Sequence, residues 1–376
     1  MLTLKHKILV TIFCCFIVLP AVASIPTTIQ SEGMKLKLEQ VADGLGVVWG
    51  MSFISRKQLL ITERIGTVKL IDVDSGRVTL LKNAPEVLAQ GQGGMLDVAL
   101  SPNYKKEGWI YFTYVKDVDN EGVTVLARAK LVSDTFEDWQ ELLVTKSKTG
   151  ETRHFGSRIT FDAQGHVFFG VGDRGVRDNA QDLTNHAGTI MRLNLDGSVP
   201  SDNPFSKNKK LLPEVWSVGH RNPQGMSYDV ENKRLWSIEH GPRGGDEINL
   251  IKPGANYGWP VISYGKEYWG PVDVGEGTHR EGMEQPVKVY IPSIAPGSLL
   301  FYSADDLPGW KGNLLSGALK LRHLNRIVLS KQGEVIKEER LLEGLDERIR
   351  ALTQSPQGWL YFSTDSGKIY RLSRLE

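Results

Sequence analysis

The hydrophobic and polar positions along this chain favour short β-strands over helices. One sequence pattern recurs: a short apolar strand, a turn with Gly, Pro, Asp or Asn, an alternating aromatic-rich strand, then Gly before a third strand. Its clearest copy spans residues 351–372, with the turn at 355–358. Helical periodicity is almost absent, and the 39 Gly and 17 Pro residues interrupt the chain at intervals typical of strands.

Six copies of this sequence pattern predict a repeat architecture. The earlier copies begin near Met51, Val98, Ile159, Met226 and Leu299. We therefore expect an all-β, six-bladed β-propeller with four-stranded antiparallel blades. Because the repeats are roughly 45 to 70 residues long, the excess is expected in loops on one face. A strand at 34–41 should complete the last blade and close the ring. A β-sandwich with a second domain is the alternative.

The first 23 residues predict a secretory signal peptide. Basic residues precede an apolar run at 8–19, and small residues at 21–23 form a cleavage pattern. We expect cleavage after Ala23, leaving residues 24–376 as a single domain. A retained anchor helix is the alternative, but the apolar run is short for a bilayer and Pro20 interrupts it. The mature protein is expected in the periplasm or outside the cell, without membrane insertion.

Composition and charge narrow the possible partners. Both cysteines, Cys14 and Cys15, lie in the leader, so the mature chain has no disulfide or cysteinyl metal site. Loss of Lys5 and Lys7 leaves 43 basic against 44 acidic side chains, so the formal charge changes from +1 to −1. Neither nucleic acid nor an anionic membrane is expected as a partner. The oligomeric state stays open.

An Arg-Asn-Pro turn begins the most unusual segment, residues 217–226. Arg221 and Asn222 lie in a loop ahead of an apolar strand, where a guanidinium and a carboxamide can bind a planar, oxygen-rich ligand. The alternative is that Arg221 pairs with a surface carboxylate and Asn222 caps the turn.

The same repeat continues into a loop rich in oxygen ligands. Gly241 and Pro242 expose backbone carbonyls in a tight loop, and Asp246 and Glu247 add carboxylates. Ca²⁺ prefers this type of oxygen ligand. The spacing differs from an EF-hand, and loops of this kind are usually solvated turns, so the residues alone are a weak calcium signal.

His154 and Asp173 are candidates for acid–base chemistry. His154 precedes a Gly and is expected to begin a strand of the third repeat, so its imidazole can project into the central funnel as a general base. Asp173 follows the neighbouring strand and can orient the ring and stabilise the imidazolium. The alternative is a surface histidine in a loop.

Two groups of cationic side chains lie near the C-terminus. Lys320 and Arg322 form one, and Arg348 and Arg350 form the other. Strand alternation places both of the latter guanidiniums on one face, with Ile349 on the opposite face. Two adjacent like charges are unfavourable unless an anion lies between them. A carboxylate-rich ligand would supply that anion, although two solvated arginines are also tolerable.

In this order, the motifs resemble the soluble PQQ-dependent aldose sugar dehydrogenases of the glucose/sorbosone dehydrogenase family. The resemblance covers residues 47–371 and is most specific at 221–225, 241–242, 245–249 and 256–260. It implies a six-bladed propeller with pyrroloquinoline quinone (PQQ) over the central axis. It also implies oxidation of an aldose at C1 to the lactone, by direct hydride transfer to PQQ. An external acceptor then takes the electrons.

The resemblance also implies roles for individual residues. His154 corresponds to the catalytic base, Asp173 to its partner, and Arg221 and Asn222 to the pair at the quinone oxygens. Arg221 and Ca²⁺ are expected to stabilise the oxygen charge that develops on the reduced quinone. The other positions that resemble the cofactor site are Gln92, Tyr268, Ala318, Leu319, Lys320, Arg348, Ile349 and Arg350.

For calcium, the resemblance implies two positions. The carbonyls of Gly241 and Pro242 resemble a site that bridges the protein to PQQ. Glu247 and Tyr257 resemble a further site that braces the loop.

Two departures leave the substrate open. Residues 145–152 and 267–283 do not align with a glucose-specific member, so the preferred aldose is undecided, and Tyr268 falls in the second of these segments. The rival functions are a calcium-dependent, lactonase-like hydrolase and a non-catalytic carbohydrate-binding propeller. The hydrolase has no need of cations that converge on an anion, and the binding protein would be expected to lose His154 or Arg221.

Overall fold

The structure, a computed structural model, describes residues 27–375, which form six antiparallel β-sheets. The predicted signal peptide, residues 1–23, lies outside the described residues, and its cleavage site stays a prediction. Within residues 27–375, no helix is long and apolar enough to cross a bilayer.

Two strands, β1 (Thr28–Ser31) and β2 (Met34–Ala42), precede the first blade. Blade 1 consists of β3 (Val48–Phe53), β4 (Gln58–Glu63), β5 (Val68–Asp72) and β6 (Val78–Leu80). Blade 2 consists of β7 (Met95–Leu100), β8 (Trp109–Val118), β9 (Glu121–Val132) and β10 (Thr135–Val144), with a short helix, α1 (Tyr104–Glu107), after β7. Blade 3 consists of β11 (Ile159–Phe161), β12 (His166–Val171), β13 (Thr189–Asn194) and β14 (Val215–Val218), with a 3₁₀ turn at Arg177–Gln181.

The remaining blades repeat this order. Blade 4 consists of β15 (Pro223–Asp229), β16 (Arg234–Glu239), β17 (Asp246–Ile251) and β18 (Lys288–Tyr290). Blade 5 consists of β19 (Leu300–Phe301), β20 (Leu314–Gly317), β21 (Leu324–Leu329) and β22 (Val335–Leu341), followed by a 3₁₀ turn at Glu343–Leu345. Blade 6 contains β23 (Ile349–Gln354), β24 (Leu360–Thr364) and β25 (Ile369–Arg374).

The N-terminal strand β2 closes the ring. It pairs antiparallel with β25, with Leu36 opposite Arg374, and so becomes the fourth strand of blade 6. This confirms the predicted closure and the six-bladed propeller. The structure adds one strand to the expected four, because β1 pairs with β2 at the outer edge of blade 6. The β-sandwich alternative is wrong.

Six hydrophobic clusters lie between successive blades. Between blades 2 and 3, for example, Tyr111 and Leu126 pack against Val167 and Phe169, and all four are fully buried. The alternation of each strand supplies one apolar face to each neighbouring blade. The stability of the ring therefore depends on face-to-face burial of apolar surface.

Glycines allow the inner strands to approach closely near the axis. A Cβ on Gly50 would lie 2.7 Å from the backbone nitrogen of Val98 in the next blade, and one on Gly225 would lie 2.2 Å from that of Leu299. No larger residue fits at these positions without a backbone shift.

The blade topology places two sets of loops on one face. In each antiparallel blade, the loop from the second to the third strand and the loop to the next blade lie at the same end of the sheet. Those loops carry nearly all the candidate site residues, from Gln92 and His154 to Arg221 and Arg348. The fold thus gathers residues that are distant in sequence around one end of the axis.

Candidate active site

His154 and Asp173 form a buried pair. His154 lies in the loop before β11 with a left-handed φ of 58°, and the strand begins at Ile159, not at His154 as predicted. Its backbone N–H donates to Gln92 Oε1 at 2.9 Å, which fixes the loop. The imidazole Nδ1 lies 2.6 Å from Asp173 Oδ1. When Nδ1 carries the proton in this hydrogen bond, Nε2 has a lone pair available to accept a proton.

Electrostatics favour a neutral imidazole beside a charged carboxylate. Burial, the largest effect, lowers the pKa of His154 below its ordinary value, and Asp173 opposes this shift. Burial would raise the pKa of Asp173, but the hydrogen bond with His154, the N–H of Gly175 and the charge of Arg221 hold that pKa below its ordinary value. The pair thus has the protonation states that a general base and its orienting partner require.

Arg221 is anchored through its backbone and its guanidinium. Its N–H donates to Glu239 Oε2 at 2.7 Å, and Nη1 donates to the carbonyls of Gly241 at 2.8 Å and His240 at 3.1 Å. Its buried Nε has no hydrogen-bond partner among residues 27–375. Glu239 also contacts His220 at 3.0 Å. The interpretation of Arg221 as a surface residue is wrong, since it is 8% exposed and points towards the oxygen-rich loop.

Carboxylates cluster around a narrow cleft of about 20 Å³ beside Arg221. Burial raises the pKa of Glu247, and the neighbouring carboxylates of Glu239 and Asp246 raise it further. Hydrogen bonds from the N–H of Gly241 and from Ser293 hold Asp246. Such a concentration of carboxylates is unfavourable without a cation or protons.

The two carbonyls predicted as calcium ligands, and the hydroxyl of Tyr257, already have protein partners. The Gly241 carbonyl accepts from Arg221, and the Pro242 carbonyl accepts from the Tyr268 hydroxyl at 3.0 Å. The Tyr257 hydroxyl donates to the Leu250 carbonyl at 2.6 Å, so any contribution of Tyr257 to a cation site would come from its backbone carbonyl. In the described part of the chain, no three His, Cys, Asp or Glu side chains are grouped to hold a metal.

A cavity of about 320 Å³ opens beside this cleft, and His240 borders both. Its walls include Gln92, Phe155, Gly156, Asn222 and Leu319. His154 itself does not line the cavity, but the two residues that follow it, Phe155 and Gly156, do. The cavity therefore gathers residues from several loops that the sequence analysis singled out separately.

The charged groups that line the cavity are mainly cationic. They are the guanidiniums of Arg64, Arg348 and Arg350 and the single carboxylate of Asp365. Asp365 accepts from Arg348 Nε at 2.7 Å and from Arg350 Nε at 2.5 Å. Ile349 is buried in the core and does not line the cavity, and its role as a cofactor position stays a prediction. The anion expected between the two arginines is thus supplied partly by the protein. Three cations against one anion still favour an anionic ligand.

Three other predicted cofactor positions lie around this cavity rather than in its wall. Ala318 is fully buried, and Lys320 is exposed without a salt bridge to any residue in 27–375. Tyr268 is 66% exposed and contacts the Pro242 carbonyl. The roles predicted for these residues stay predictions.

A buried ion pair joins the blades beside the cavity. Arg158 Nη1 contacts Asp97 Oδ1 at 2.6 Å and the Trp49 carbonyl at 3.1 Å. Its other nitrogens donate to the carbonyls of Gln224 at 3.3 Å and Gly297 at 3.0 Å. One guanidinium on blade 3 therefore contacts blades 1, 2 and 4 and the loop that enters blade 5.

Comparison with known proteins decides the family. Residues 45–371 match the family model described as "Glucose / Sorbosone dehydrogenase". The chain belongs to this family. It is 36% identical to the aldose sugar dehydrogenase YliI of Escherichia coli, over 90% of this chain and 93% of that protein. It is 30% identical to quinoprotein glucose dehydrogenase B of Acinetobacter calcoaceticus, over 66% of this chain and 58% of that protein.

The solved structure of a relative has the same architecture as this chain. The PQQ-bound aldose sugar dehydrogenase of Streptomyces coelicolor superposes with a TM-score of 0.76 at 25% identity, over 93% of this chain and 99% of that one. The family resemblance inferred from the motifs is thus confirmed. Membership in the glucose/sorbosone dehydrogenase family identifies the chain as an oxidoreductase of the sugar dehydrogenase type.

Three residues of the site in this dehydrogenase were not predicted from its sequence. Asp365 follows β24 in an ordinary Asp-Ser-Gly turn, and only its contacts with the arginines distinguish it. Arg64 lines the cavity, where its guanidinium donates to the Gly91 carbonyl. Arg158 lies between His154 and the first strand of blade 3, and the apolar residues of that strand could have indicated a buried charge that needs a partner.

Proposed function

We propose that this protein oxidises aldose sugars at the anomeric C1 hydroxyl to the lactone, with PQQ and Ca²⁺ as cofactors and an external acceptor for the electrons. The observation that carries the proposal is the buried His154–Asp173 pair, whose histidine directly precedes Phe155 and Gly156 in the wall of a cavity lined by three guanidiniums. The names of the relatives, aldose sugar dehydrogenase and quinoprotein glucose dehydrogenase, support the same reaction.

The residues of the cavity fit a planar, multiply charged cofactor. PQQ carries three carboxylates, and the cavity offers Arg64, Arg348 and Arg350 against Asp365 alone. Arginine is the side chain best suited to paired hydrogen bonds with carboxylates. Asn222 and Gln92 add uncharged polar groups to the same wall. A volume of about 320 Å³ is at the lower end of small-molecule sites.

The cleft beside Arg221 fits a hard divalent cation. The pKa of Glu247 is raised because it is buried close to Glu239 and Asp246, and a cation would relieve this repulsion. The buried Asn249 Oδ1 has no hydrogen-bond partner among the described residues and adds a further oxygen nearby. Carboxylate, amide and carbonyl oxygens are the ligands that Ca²⁺ prefers. We therefore assign Ca²⁺ to the region of Gly241, Pro242 and Glu247.

The protein groups perform the proton chemistry and the electrostatic stabilisation. His154 Nε2 takes the proton of the anomeric hydroxyl, and Asp173 stabilises the resulting imidazolium. Bound PQQ would supply the acceptor for the hydride, with its electron pair, that C1 loses as the sugar becomes a lactone. Arg221 holds a fixed positive charge in a buried site, where it acts on developing negative charge with little reorganisation.

The rival functions explain less of the site. A hydrolase of the lactonase type would use a central histidine and calcium but has no need of the guanidinium cluster. A non-catalytic sugar-binding propeller has no need of an imidazole and a carboxylate held 2.6 Å apart in the interior. The dehydrogenase accounts for both features.

The site is proposed to act in the periplasm or outside the cell. This location rests on the predicted signal peptide, since the basic, apolar and small-residue regions of residues 1–23 follow one another as in an exported protein.

Reconstitution tests the proposed function. Purified protein is incubated with PQQ and Ca²⁺, and reduction of an artificial electron-acceptor dye is followed after aldoses are added. We expect sugar-dependent dye reduction with PQQ, none with NAD in its place, and loss of the activity in His154→Gln. Hydrolysis of lactones without dye reduction would favour the hydrolase, and sugar binding without either reaction would favour the binding protein.

A further inference from the structure

The indole of Trp259 contacts the carboxylate that holds the candidate base. Trp259 is 6% exposed, and its Nε1 donates to Asp173 Oδ2 at 2.8 Å. The other oxygen, Oδ1, contacts His154 Nδ1 at 2.6 Å and accepts the N–H of Gly175 at 2.8 Å. Both oxygens of Asp173 therefore have fixed partners, and the indole occupies the one that does not contact the imidazole.

Other contacts hold the indole in place. The backbone N–H of Trp259 donates to the Gly219 carbonyl at 3.0 Å, and its carbonyl accepts from Gln181 Nε2 at 2.7 Å. The ring packs with Ala180 and Val274 in a small buried cluster. Because none of these contacts involves Asp173, the indole can act as a rigid donor that determines how the carboxylate is turned.

The same ring lies close to two guanidiniums. Arg221 Cζ is 5.3 Å from the ring centroid, and Arg177 Cζ is 5.5 Å from it. Both distances are within the range of cation–π attraction. Trp259 thus contacts Asp173, the partner of the base, through its Nε1–H. It contacts Arg221 through its ring.

We propose that Trp259 is a positioning residue for the His154–Asp173 pair. Its Nε1–H fixes Asp173 so that Oδ1 holds the imidazole in the tautomer with a free Nε2, which the reaction needs. This inference rests on the proposed function for the role of His154 as base. If Trp259 only filled space, the effect of replacing it would not depend on the presence of Asp173, and that difference can be measured.

A double-mutant cycle tests this dependence. The variants are Trp259→Phe, Asp173→Ala and the combination, assayed for sugar oxidation at saturating PQQ and Ca²⁺. Hydrogen bonds to charged groups contribute more than those between neutral groups. We therefore expect Trp259→Phe to lower kcat roughly tenfold or more, with KM and PQQ affinity nearly unchanged. In the Asp173→Ala background the same substitution should have no further effect. An equal loss in both backgrounds would show a purely structural role and overturn the inference.

Trp236→Phe is the matched control. Trp236 is fully buried in the cluster between blades 4 and 5, and its Nε1 has no hydrogen-bond partner among residues 27–375. The substitution removes the same ring and donor without contact to Asp173, so kcat should stay near the wild-type value. A tenfold loss of kcat in this control as well would attribute the effect to lost volume and overturn the inference.

NMR of the cofactor-free protein gives an independent readout. One of the nine tryptophan indole N–H resonances should lie downfield because it donates to a charged carboxylate, and it should move in Asp173→Ala. The pKa of His154, followed through its ring resonances, should change in Trp259→Phe but not in Trp236→Phe. These spectra do not need sugar oxidation, so failure of the proposed function would be distinguishable from failure of this inference. Indole resonances that do not move in Asp173→Ala would overturn the inference.

Discussion

Replacing Asp365 by Asn should destabilise the cofactor-free protein and increase its dependence on PQQ. In the wild type, Asp365 accepts hydrogen bonds from Arg348 and Arg350 at 2.5 to 3.0 Å. Burial alone would raise its pKa, but the two guanidiniums lower it below its ordinary value, so the carboxylate is charged. An amide cannot balance the two guanidiniums, and its NH₂ group would face one of them.

The burial of the three side chains sets the magnitude. The side chains of Arg350 and Asp365 are 14% and 18% exposed, whereas that of Arg348 is 45% exposed. Breaking a buried pair costs about 3–5 kcal/mol, and an exposed pair contributes about 0–1 kcal/mol. We therefore expect a loss of about 2 kcal/mol in the free energy of unfolding. For a chain of this size the loss corresponds to a decrease of roughly 3 °C in Tm.

The pH dependence of this stabilisation has a definite sign. Because the pKa of Asp365 is lowered in the folded protein, its contribution is fully present above the unfolded pKa of about 3.9 and is lost as the pH falls through the folded pKa. The wild type and Asp365→Asn should therefore converge in stability at acidic pH.

Thermal and urea unfolding of the cofactor-free and PQQ-loaded proteins measure the effect. PQQ should raise Tm more in Asp365→Asn than in the wild type, because ligand carboxylates replace the missing anion. Asp346→Asn is the matched control, since Asp346 pairs with Arg322 at 2.7 Å but is 77% exposed, and it should change Tm little. If Asp365→Asn unfolds like this control, the arginines are solvated and the cavity does not require an anion.

Substitution of His154 by Gln should lower sugar oxidation by roughly two to four orders of magnitude while PQQ and Ca²⁺ remain bound; loss of PQQ alone, measured by titration, would contradict its role as base. At low pH, kcat/KM should fall as His154 becomes protonated, with a midpoint below pH 6.5, because burial lowers the pKa of His154. Asp173→Asn should move this midpoint lower still, since it removes the charge that opposes the shift. Arg350→Ala should weaken PQQ binding tenfold or more, by about the strength of a charge-assisted bond, with the rate recovered at saturating PQQ; normal binding in a fluorescence titration would show that Arg350 is not a contact. A chelator should abolish dye reduction, Ca²⁺ with PQQ should restore it, and Glu247→Gln should raise the Ca²⁺ concentration needed; activity that survives chelation, with no metal detected by elemental analysis, would contradict the calcium assignment.

The strand pattern predicted the architecture because it is a local property repeated six times. Alternation within each strand shows which side chains enter the clusters between blades, and the unpaired strand at Met34–Ala42 can only complete the last sheet. The additional strand β1 was not predicted, because Thr28–Ser31 does not alternate clearly between apolar and polar residues. Only its pairing with β2 identifies it as a strand. Its pairing depends on β2 being in place first.

Contacts within the site were harder to predict because most of them involve residues in loops. His154 and Asp173 are 19 residues apart in one blade, and their pairing follows from the topology of neighbouring strands. Trp259 reaches Asp173 from a loop 86 residues away, which no periodicity encodes. Asp365 was missed for a related reason: the alternation showed that two arginines share a face but not which group lies opposite them. Loop conformations decide such contacts.

The buried pair of Arg158 and Asp97 shows why one end of this ring can hold a precise site. Inner strands that converge on an axis leave backbone carbonyls pointing into the centre, and each needs a donor when water is excluded. Arg158 donates to three such carbonyls, on Trp49, Gln224 and Gly297, and its charge is balanced by Asp97. Trp49 and Gln224 also line the cavity, so one ion pair holds the strands that form its walls. The loops above can then vary in sequence, and with them the substrate, while the positions of the reacting groups stay fixed by the blades.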